Sequence, residues 1–225
     1  EPTISFHVDA VQAIGKIPVS AYLTDRVDFA TFSGHKFHAV RGVGFVYKKA
    51  GKKITPFLTG GGQEKDLRST TENVAGIASM AKALRLVTDK EEFSLPKIAK
   101  MKKIIFDELA KYEDITIFSG EGEDFAPNIL TFGIKGVRGE VVVHAFEEHQ
   151  IYISTTSACS SKAGKPAGTL ISMGIPTKLA QTAVRISLDD DNDMGQVEQF
   201  LTIFKQVYAL SLIHISEPTR HAQIS

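Results

Sequence analysis

The chain has 225 residues, and 43% of them are hydrophobic, which is enough to bury a sizeable core. Lys plus Arg and Asp plus Glu number 26 each, so the chain has no overall charge that would attract it to nucleic acid or anionic membranes. Apolar runs stay short of the roughly 20 residues that span a bilayer, and no signal-peptide pattern opens the chain, so we expect a cytoplasmic protein. The single cysteine, Cys159, excludes an internal disulfide framework.

Segments rich in β-branched and aromatic residues alternate with helical periodicity, which is typical of an α/β protein. Strands are predicted, in chain order, at Ser5–Asp9, Asp28–Ser33, Gly44–Tyr47, Ile129–Gly133, Ile151–Ser154 and Ala183–Ser187. Helices are predicted at Thr71–Thr88, Ser94–Tyr112, Gly139–His149, Thr177–Gln181 and Asn192–Tyr208. A charged, polar stretch between Val87 and Leu95 predicts a boundary between a sheet-rich domain at 1–88 and a smaller α/β domain at 89–209.

Both ends of the sequence have unusual patterns. Ile4–Val8 already has the pattern of a buried strand, so we expect further strands of the same domain upstream. At the other end, Leu210–Arg220 is similar to the direct translation of a transposase-type sequencing adapter. We interpret 210–225 as adapter translation and expect biological coding to stop near Ala209; a genuine short extension is the alternative.

Polar side chains follow two neighbouring predicted strands. Residues 7–12, "HVDAVQ", end the first strand, and residues 33–36, "SGHK", end the second. Because neighbouring strand ends in an open α/β sheet meet at the crevice where ligands bind, an acid, an amide, a hydroxyl, an imidazole and an amine are expected in one crevice. Each side chain alone has an ordinary structural explanation, such as capping a helix or facing solvent.

Together these groups match the needs of pyridoxal phosphate. That cofactor needs a lysine to which it binds covalently and a carboxylate that keeps its ring nitrogen protonated. Lys36 and Asp9 provide these two groups. Gln12 is a candidate donor to the phenolate oxygen, and Ser33 with His35 are candidate phosphate ligands.

A metal site is the alternative for this crevice. It would use His7, Asp9, His35 and His38. The spacing lacks a close histidine pair on one helical face, and a lysine among the ligands would repel the ion. We therefore expect no metal here.

Five segments resemble the successive signatures of the cysteine desulfurases of the NifS/IscS type, within the fold-type I, class V pyridoxal-phosphate enzymes. They are "FHVDAVQAIGK", "SGHKFHAVRGVGFVY", "GGGQEKDLRSTTEN", "APNIL" and "ISTTSACSSK". The resemblance runs from about residue 4 to residue 208. It implies part of a fold-type I large domain plus a small C-terminal α/β domain, with the upstream half, including part of the phosphate cup, outside this chain. We therefore expect this chain alone to be inactive.

The resemblance also implies roles for single residues. Lys36 matches the lysine that binds the cofactor, Asp9 the partner of the ring nitrogen, and Gln12 the phenolate-side donor. Ser33 and His35 match the phosphate ligands.

One matched position implies a dimer. Thr71 matches a threonine that reaches the phosphate bound by the other subunit, so the resemblance implies a homodimer. The family's usual glycine before it is Thr70 here, which leaves the backbone of this loop open.

Two further residues complete the predicted site. Cys159 lies in a stretch of small residues typical of a loop, and it matches the cysteine that takes the substrate's sulfur as a persulfide. Arg185 lies in a predicted strand, and its planar guanidinium suits a carboxylate. By resemblance it holds the α-carboxylate of the substrate; an internal salt bridge with one of Asp189–Asp191 is the alternative.

The implied reaction converts L-cysteine to L-alanine and passes sulfur to an acceptor, either an iron–sulfur scaffold or a tRNA-thiolation protein. Two alternatives stay open at this point. One is another class V enzyme, a selenocysteine lyase or an aminotransferase, that uses the same cofactor site without Cys159. The other is a catalytically silent interaction module.

Overall fold

A computed structural model describes residues 4–122, 124–155 and 168–216, with side chains as far as 211. The chain divides into two compact units, Glu1–Leu95 and Pro96–Ser225. The domain boundary predicted between residues 88 and 89 lies seven residues before the observed division between residues 95 and 96.

The first unit contains a small mixed sheet. Its elements are β1 (His7–Asp9), α1 (Val19–Tyr22), β2 (Phe29–Ser33), a 3₁₀ turn (Gly34–Phe37) and β3 (Gly44–Lys48), followed by the first part of α2 (Val74–Leu109). The strand order is β1-β2-β3, with β1 parallel to β2 and β3 antiparallel to β2. The carboxyl ends of β1 and β2 consequently lie at the same edge of the sheet.

The core of this unit follows from the alternation of side chains along β2. Ala30 and Phe32 point to the buried face, as the period of two requires. The ring of Phe32 stacks on that of Phe45 in β3, with 4.5 Å between ring centroids. Ala83 of α2 is buried in the same cluster and closes it.

A buried carboxylate ties the start of this sheet together. Asp28, directly before β2, accepts hydrogen bonds from the backbone N–H of Phe6 at 2.9 Å and from Arg26 at 3.3 Å. Lys52, beyond β3, pairs with its other oxygen at 3.1 Å. The Phe6 N–H, then Lys52 and Arg26, hold the pKa of Asp28 below its ordinary value.

The continuous helix α2 corrects the predicted break. We expected two helices, Thr71–Thr88 and Ser94–Tyr112, but the structure has one helix that includes Pro96. The charged stretch between them has the composition of a linker, yet Lys and Glu are good helix formers, and Lys90 and Glu92 lie on the exposed face of this helix. An interior proline costs a helix one backbone hydrogen bond and a clash with the preceding turn, yet α2 continues through Pro96.

The second unit contains an antiparallel sheet packed against helices. Its elements after α2 are β4 (Ile115–Ile117), β5 (Ile129–Ile134), α3 (Gly139–Glu147), β6 (Ser154–Thr155), α4 (Gly168–Ser172), α5 (Thr177–Ala180), β7 (Ala183–Ser187) and α6 (Met194–Ser216). The strand order is β4-β5-β7-β6, and all described neighbours are antiparallel.

One face of this sheet forms the larger core. Leu130 and Phe132 of β5, on either side of Thr131, are fully buried, as is Val184 of β7. The aromatic rings of Phe200 and Phe204 in α6 are buried in the same cluster. The opposite face carries the residues between these positions, among them Arg185.

Several elements differ from the prediction. The strand β4 and the short helices α1 and α4 were not predicted, because runs of three to five residues carry too little periodicity. Helix α6 continues past Tyr208 to Ser216, into the segment interpreted as adapter translation. Among the described residues, no helix is long and apolar enough to cross a membrane.

Candidate functional site

The carboxyl ends of β1 and β2 place two predicted residues at one sheet edge. Asp9 is the last residue of β1, and Ser33 is the last residue of β2. The register pairs Asp9 with Thr31, so Ser33 lies two residues further along. The 3₁₀ turn that begins at Gly34 then carries His35 and Lys36 away from the strand.

Gly34 allows this turn to lie close to β3. Its N–H donates to the carbonyl oxygen of Val43 at 2.9 Å. A Cβ atom at this position would lie 3.0 Å from that same oxygen and 3.1 Å from the Cβ of Ala39. The chain leaves the turn through His38, whose φ of 70° is in the left-handed region. The position of Lys36 thus depends on Gly34, where a side chain would be too close to Val43 and Ala39.

The amine and the carboxylate of this edge have no competing charged partners. Lys36 is half-buried, and within the described part of the chain its ammonium group makes no hydrogen bond or ion pair. Asp9 is exposed, and its Oδ1 accepts the N–H of Val11 at 3.1 Å. Its other oxygen therefore has no described donor, as a carboxylate that receives a ring N–H requires.

Among the remaining groups of the edge, His35 is exposed and Ser33 is half-buried. The hydroxyl of Ser33 and Nδ1 of His35 lie 3.3 Å apart, so the two side chains form one polar pair. Gln12 is exposed after β1. The set consists of an amine, a carboxylate, a hydroxyl, an imidazole and an amide, which fits pyridoxal phosphate.

The alternative metal site is not assembled. Within the described residues, His7, Asp9, His35 and His38 do not bring three ligand atoms within 4.8 Å of one another. A metal ion needs at least that convergence.

The loop that carries Thr71 is strained. Glu64, Lys65 and Asp66 have φ values of 50°, 57° and 63°, three successive residues in a conformation that favours glycine. Beside them the side-chain oxygen Oε1 of Gln63 is buried without a hydrogen-bond partner in the described part.

Thr71 itself is exposed at the end of this loop, and its carbonyl accepts from the hydroxyl of Thr70 at 3.1 Å. Thr70 is not among the residues with positive φ, so the backbone there suits a β-branched residue. The backbone at Thr70 therefore does not need the glycine that the family usually has there.

Arg185 lies in the middle of β7 in the second unit. Its Nε is buried and has no hydrogen-bond partner among the described residues. In that same part of the chain, Arg185 forms no ion pair with Asp189, Asp190 or Asp191. A buried N–H without an acceptor is costly, and an acceptor on a bound ligand would remove the cost.

Two neighbours of Arg185 were not predicted as site residues. Thr131 of β5 and Ser154 of β6 lie directly opposite it, one on each side. The alternation in each strand can be read from the sequence, but the register between strands that are distant in the chain cannot. The other predicted residue, Cys159, lies outside the described residues.

Comparisons with known proteins agree with these features. The family model described as aminotransferase class V matches residues 2–200. A NifS/IcsS protein homolog from Lactobacillus delbrueckii subsp. bulgaricus is 48% identical over 207 residues, which are 92% of this chain and 54% of the relative. A cysteine desulfurase from Trichormus azollae is 34% identical over 203 residues, 90% of this chain and 50% of the relative.

Solved structures show the same similarity. A NifS-like protein from Rickettsia africae superimposes with a TM-score of 0.78 at 32% identity, covering 91% of this chain and 54% of that structure. This chain spans about half the length of the curated relatives that it matches.

Proposed function

The chain belongs to the class V aminotransferase family, and from this membership we propose that the complete protein is a pyridoxal-phosphate-dependent cysteine desulfurase. The observation that carries the proposal is the edge formed by β1 and β2. There, Asp9 and Lys36 stand without charged partners in the described part of the chain. The cysteine desulfurases among the relatives support the reaction type.

The cofactor supplies an electron sink for the substrate's α-carbon when it is bound. Asp9 holds the proton on the ring nitrogen, and Lys36 binds the cofactor and moves protons at the substrate's α-carbon. Ser33 and His35 hold the phosphate, while Gln12 donates to the phenolate oxygen. These roles follow from the type and spacing of the groups and from the resemblance.

Arg185 and Cys159 act on the substrate. Arg185 holds the α-carboxylate of L-cysteine through its guanidinium. The thiolate of Cys159 attacks the substrate's sulfur, so that a sulfur–sulfur bond forms as the carbon–sulfur bond breaks. The electron pair of the broken bond remains with the carbon, which takes up a proton and leaves as L-alanine.

The product on the protein is a persulfide, and its sulfur passes to an acceptor. An iron–sulfur scaffold and a tRNA-thiolation protein both remain candidates. We also propose a homodimer, in which Thr71 reaches the cofactor phosphate of the other subunit. The cytoplasmic location stays a prediction from the sequence.

The test uses the complete protein and two variants. Cys159→Ser should retain the visible absorbance of the lysine-bound cofactor but lose persulfide and alanine formation from L-cysteine. Lys36→Ala should lose that absorbance, whereas the exposed control Lys53→Ala should retain it. Alanine formation by Cys159→Ser at the unaltered rate would instead favour a class V enzyme that does not use Cys159, such as a selenocysteine lyase, whereas a keto acid that keeps the sulfur would favour an aminotransferase.

A further inference from the structure

Three polar side chains form a row across the second sheet. The register pairs Arg185 of β7 with Thr131 of β5 on one side and with Ser154 of β6 on the other. Residues directly opposite each other in an antiparallel pair point to the same face, with Cβ atoms about 5 Å apart. Two hydroxyls thus flank the guanidinium on the face opposite the hydrophobic core.

No described side chain accepts a hydrogen bond from this row. All three residues are half-buried, and Nε of Arg185 is fully buried without a partner. Within the described part of the chain, the hydroxyls of Thr131 and Ser154 make no hydrogen bond either. A row of donors without an acceptor is suited to a ligand that only accepts, and a carboxylate is such a ligand.

The backbone holds Thr131 in place. Its N–H donates to the hydroxyl of Ser119 at 2.8 Å, and its carbonyl accepts from the N–H of Phe118 at 2.8 Å. These contacts occupy the backbone of Thr131 and leave its side-chain hydroxyl for another partner. On one side of the row, the next pair on the same face is Gly133 and Ala183, and Ala183 is buried against Leu170 and Ala180.

We infer that Thr131 and Ser154 are substrate-binding residues that hold the α-carboxylate of the substrate together with Arg185. The inference rests on the proposed function, since it extends the carboxylate clamp from one residue to three. It assigns each hydroxyl one hydrogen bond to a carboxylate oxygen, while the guanidinium carries the charge. A hydrogen bond to a charged group contributes enough that its loss weakens binding about tenfold.

The test measures binding of a carboxylate by this chain without the cofactor. The probe is 3-mercaptopropionate, which keeps the thiol and the carboxylate of L-cysteine and lacks the amino group. Cysteamine, which lacks the carboxylate, is the control ligand. The readout is the ¹⁵Nε–H resonance of Arg185, assigned by its loss in Arg185→Met, together with the dissociation constant from the titration.

The variants separate the hydroxyls from the guanidinium. Thr131→Val and Ser154→Ala should each weaken binding of 3-mercaptopropionate by about tenfold. Thr155→Val is the matched control, because Thr155 lies next to Ser154 in β6 and faces the other side of the sheet. It should leave the dissociation constant unchanged.

Each outcome has one meaning. Unchanged binding by Thr131→Val and Ser154→Ala, or no saturable shift in the unaltered chain, would overturn the inference. The proposed function is judged separately by alanine formation from L-cysteine in the complete protein. A complete protein that forms no alanine while its hydroxyl variants bind the probe weakly would refute the desulfurase and leave the carboxylate site standing.

Discussion

Replacing Arg185 by methionine should stabilise the protein. Methionine matches the unbranched stem of arginine as far as Nε, so it fills that part of the position in β7 without the guanidinium. The change removes the buried Nε–H that has no acceptor among the described residues. It breaks no described ion pair, because Arg185 forms none in that part of the chain.

The magnitude follows from that single group. An unsatisfied buried donor costs about 1–3 kcal/mol, and the remaining donors of a half-buried guanidinium still reach water. We therefore expect the free energy of unfolding to rise by about 1–2 kcal/mol. For a chain of this size the midpoint of thermal unfolding should then rise by about 2–8 °C.

Urea unfolding followed by circular dichroism measures this gain, and amide hydrogen exchange in β5 and β7 locates it in the second unit. Arg138→Met is the control, since the side chain of Arg138 is 73% exposed and only approaches Glu140 at 3.5 Å. Its effect should stay within about 0.5 kcal/mol. A free energy of unfolding that falls in Arg185→Met would refute the reasoning, because the Nε–H would then have an acceptor in the folded protein.

Two further changes test the first unit. Asp28→Asn should destabilise the protein at neutral pH. The pKa of Asp28 in the folded protein is lowered from its ordinary value of 3.8, so this carboxylate contributes stability at pH values above 3.8 and loses that contribution as the pH falls through the folded-state pKa. The difference in urea midpoint from the unaltered protein should therefore shrink below about pH 4, and a difference that persists in strong acid would contradict this. Lys65→Gly should stabilise by about 1 kcal/mol because it relieves the middle of the left-handed run, whereas Lys82→Gly in α2 should destabilise by about the same amount. Urea midpoints that shift in the same direction for both glycine variants would exclude strain at Lys65.

The fold could be predicted where a strand is long enough to alternate. The predicted strand Ala183–Ser187 is confirmed to the residue, and α3 begins at Gly139 as expected. The gap predicted between two helices at Val87–Leu95 is wrong, because charged residues are as common on the exposed face of a helix as in a linker. Composition alone does not separate these two cases.

The site was predictable to the extent that it lies within contiguous motifs. Asp9 ends one recognisable strand and Lys36 follows another, and the parallel pairing of β1 with β2 brings both strand ends to one edge. Thr131 and Ser154 were not predicted as neighbours of Arg185, since their position beside it depends on which strands are adjacent in the sheet. The left-handed run at 64–66 was also not predicted, because none of its three residues is a glycine.

The two effects expected of Arg185→Met, higher stability and lost carboxylate binding, involve the same guanidinium. A packing fault at this position would give the first effect without the second, since a buried Nε–H that serves nothing costs stability whether or not a ligand is present. A purely structural arginine would give neither effect, since its removal would break a contact within the fold and lower the stability. Stability and binding measured on one variant therefore separate three explanations of Arg185, and only a ligand-binding role predicts that the two quantities change in opposite directions.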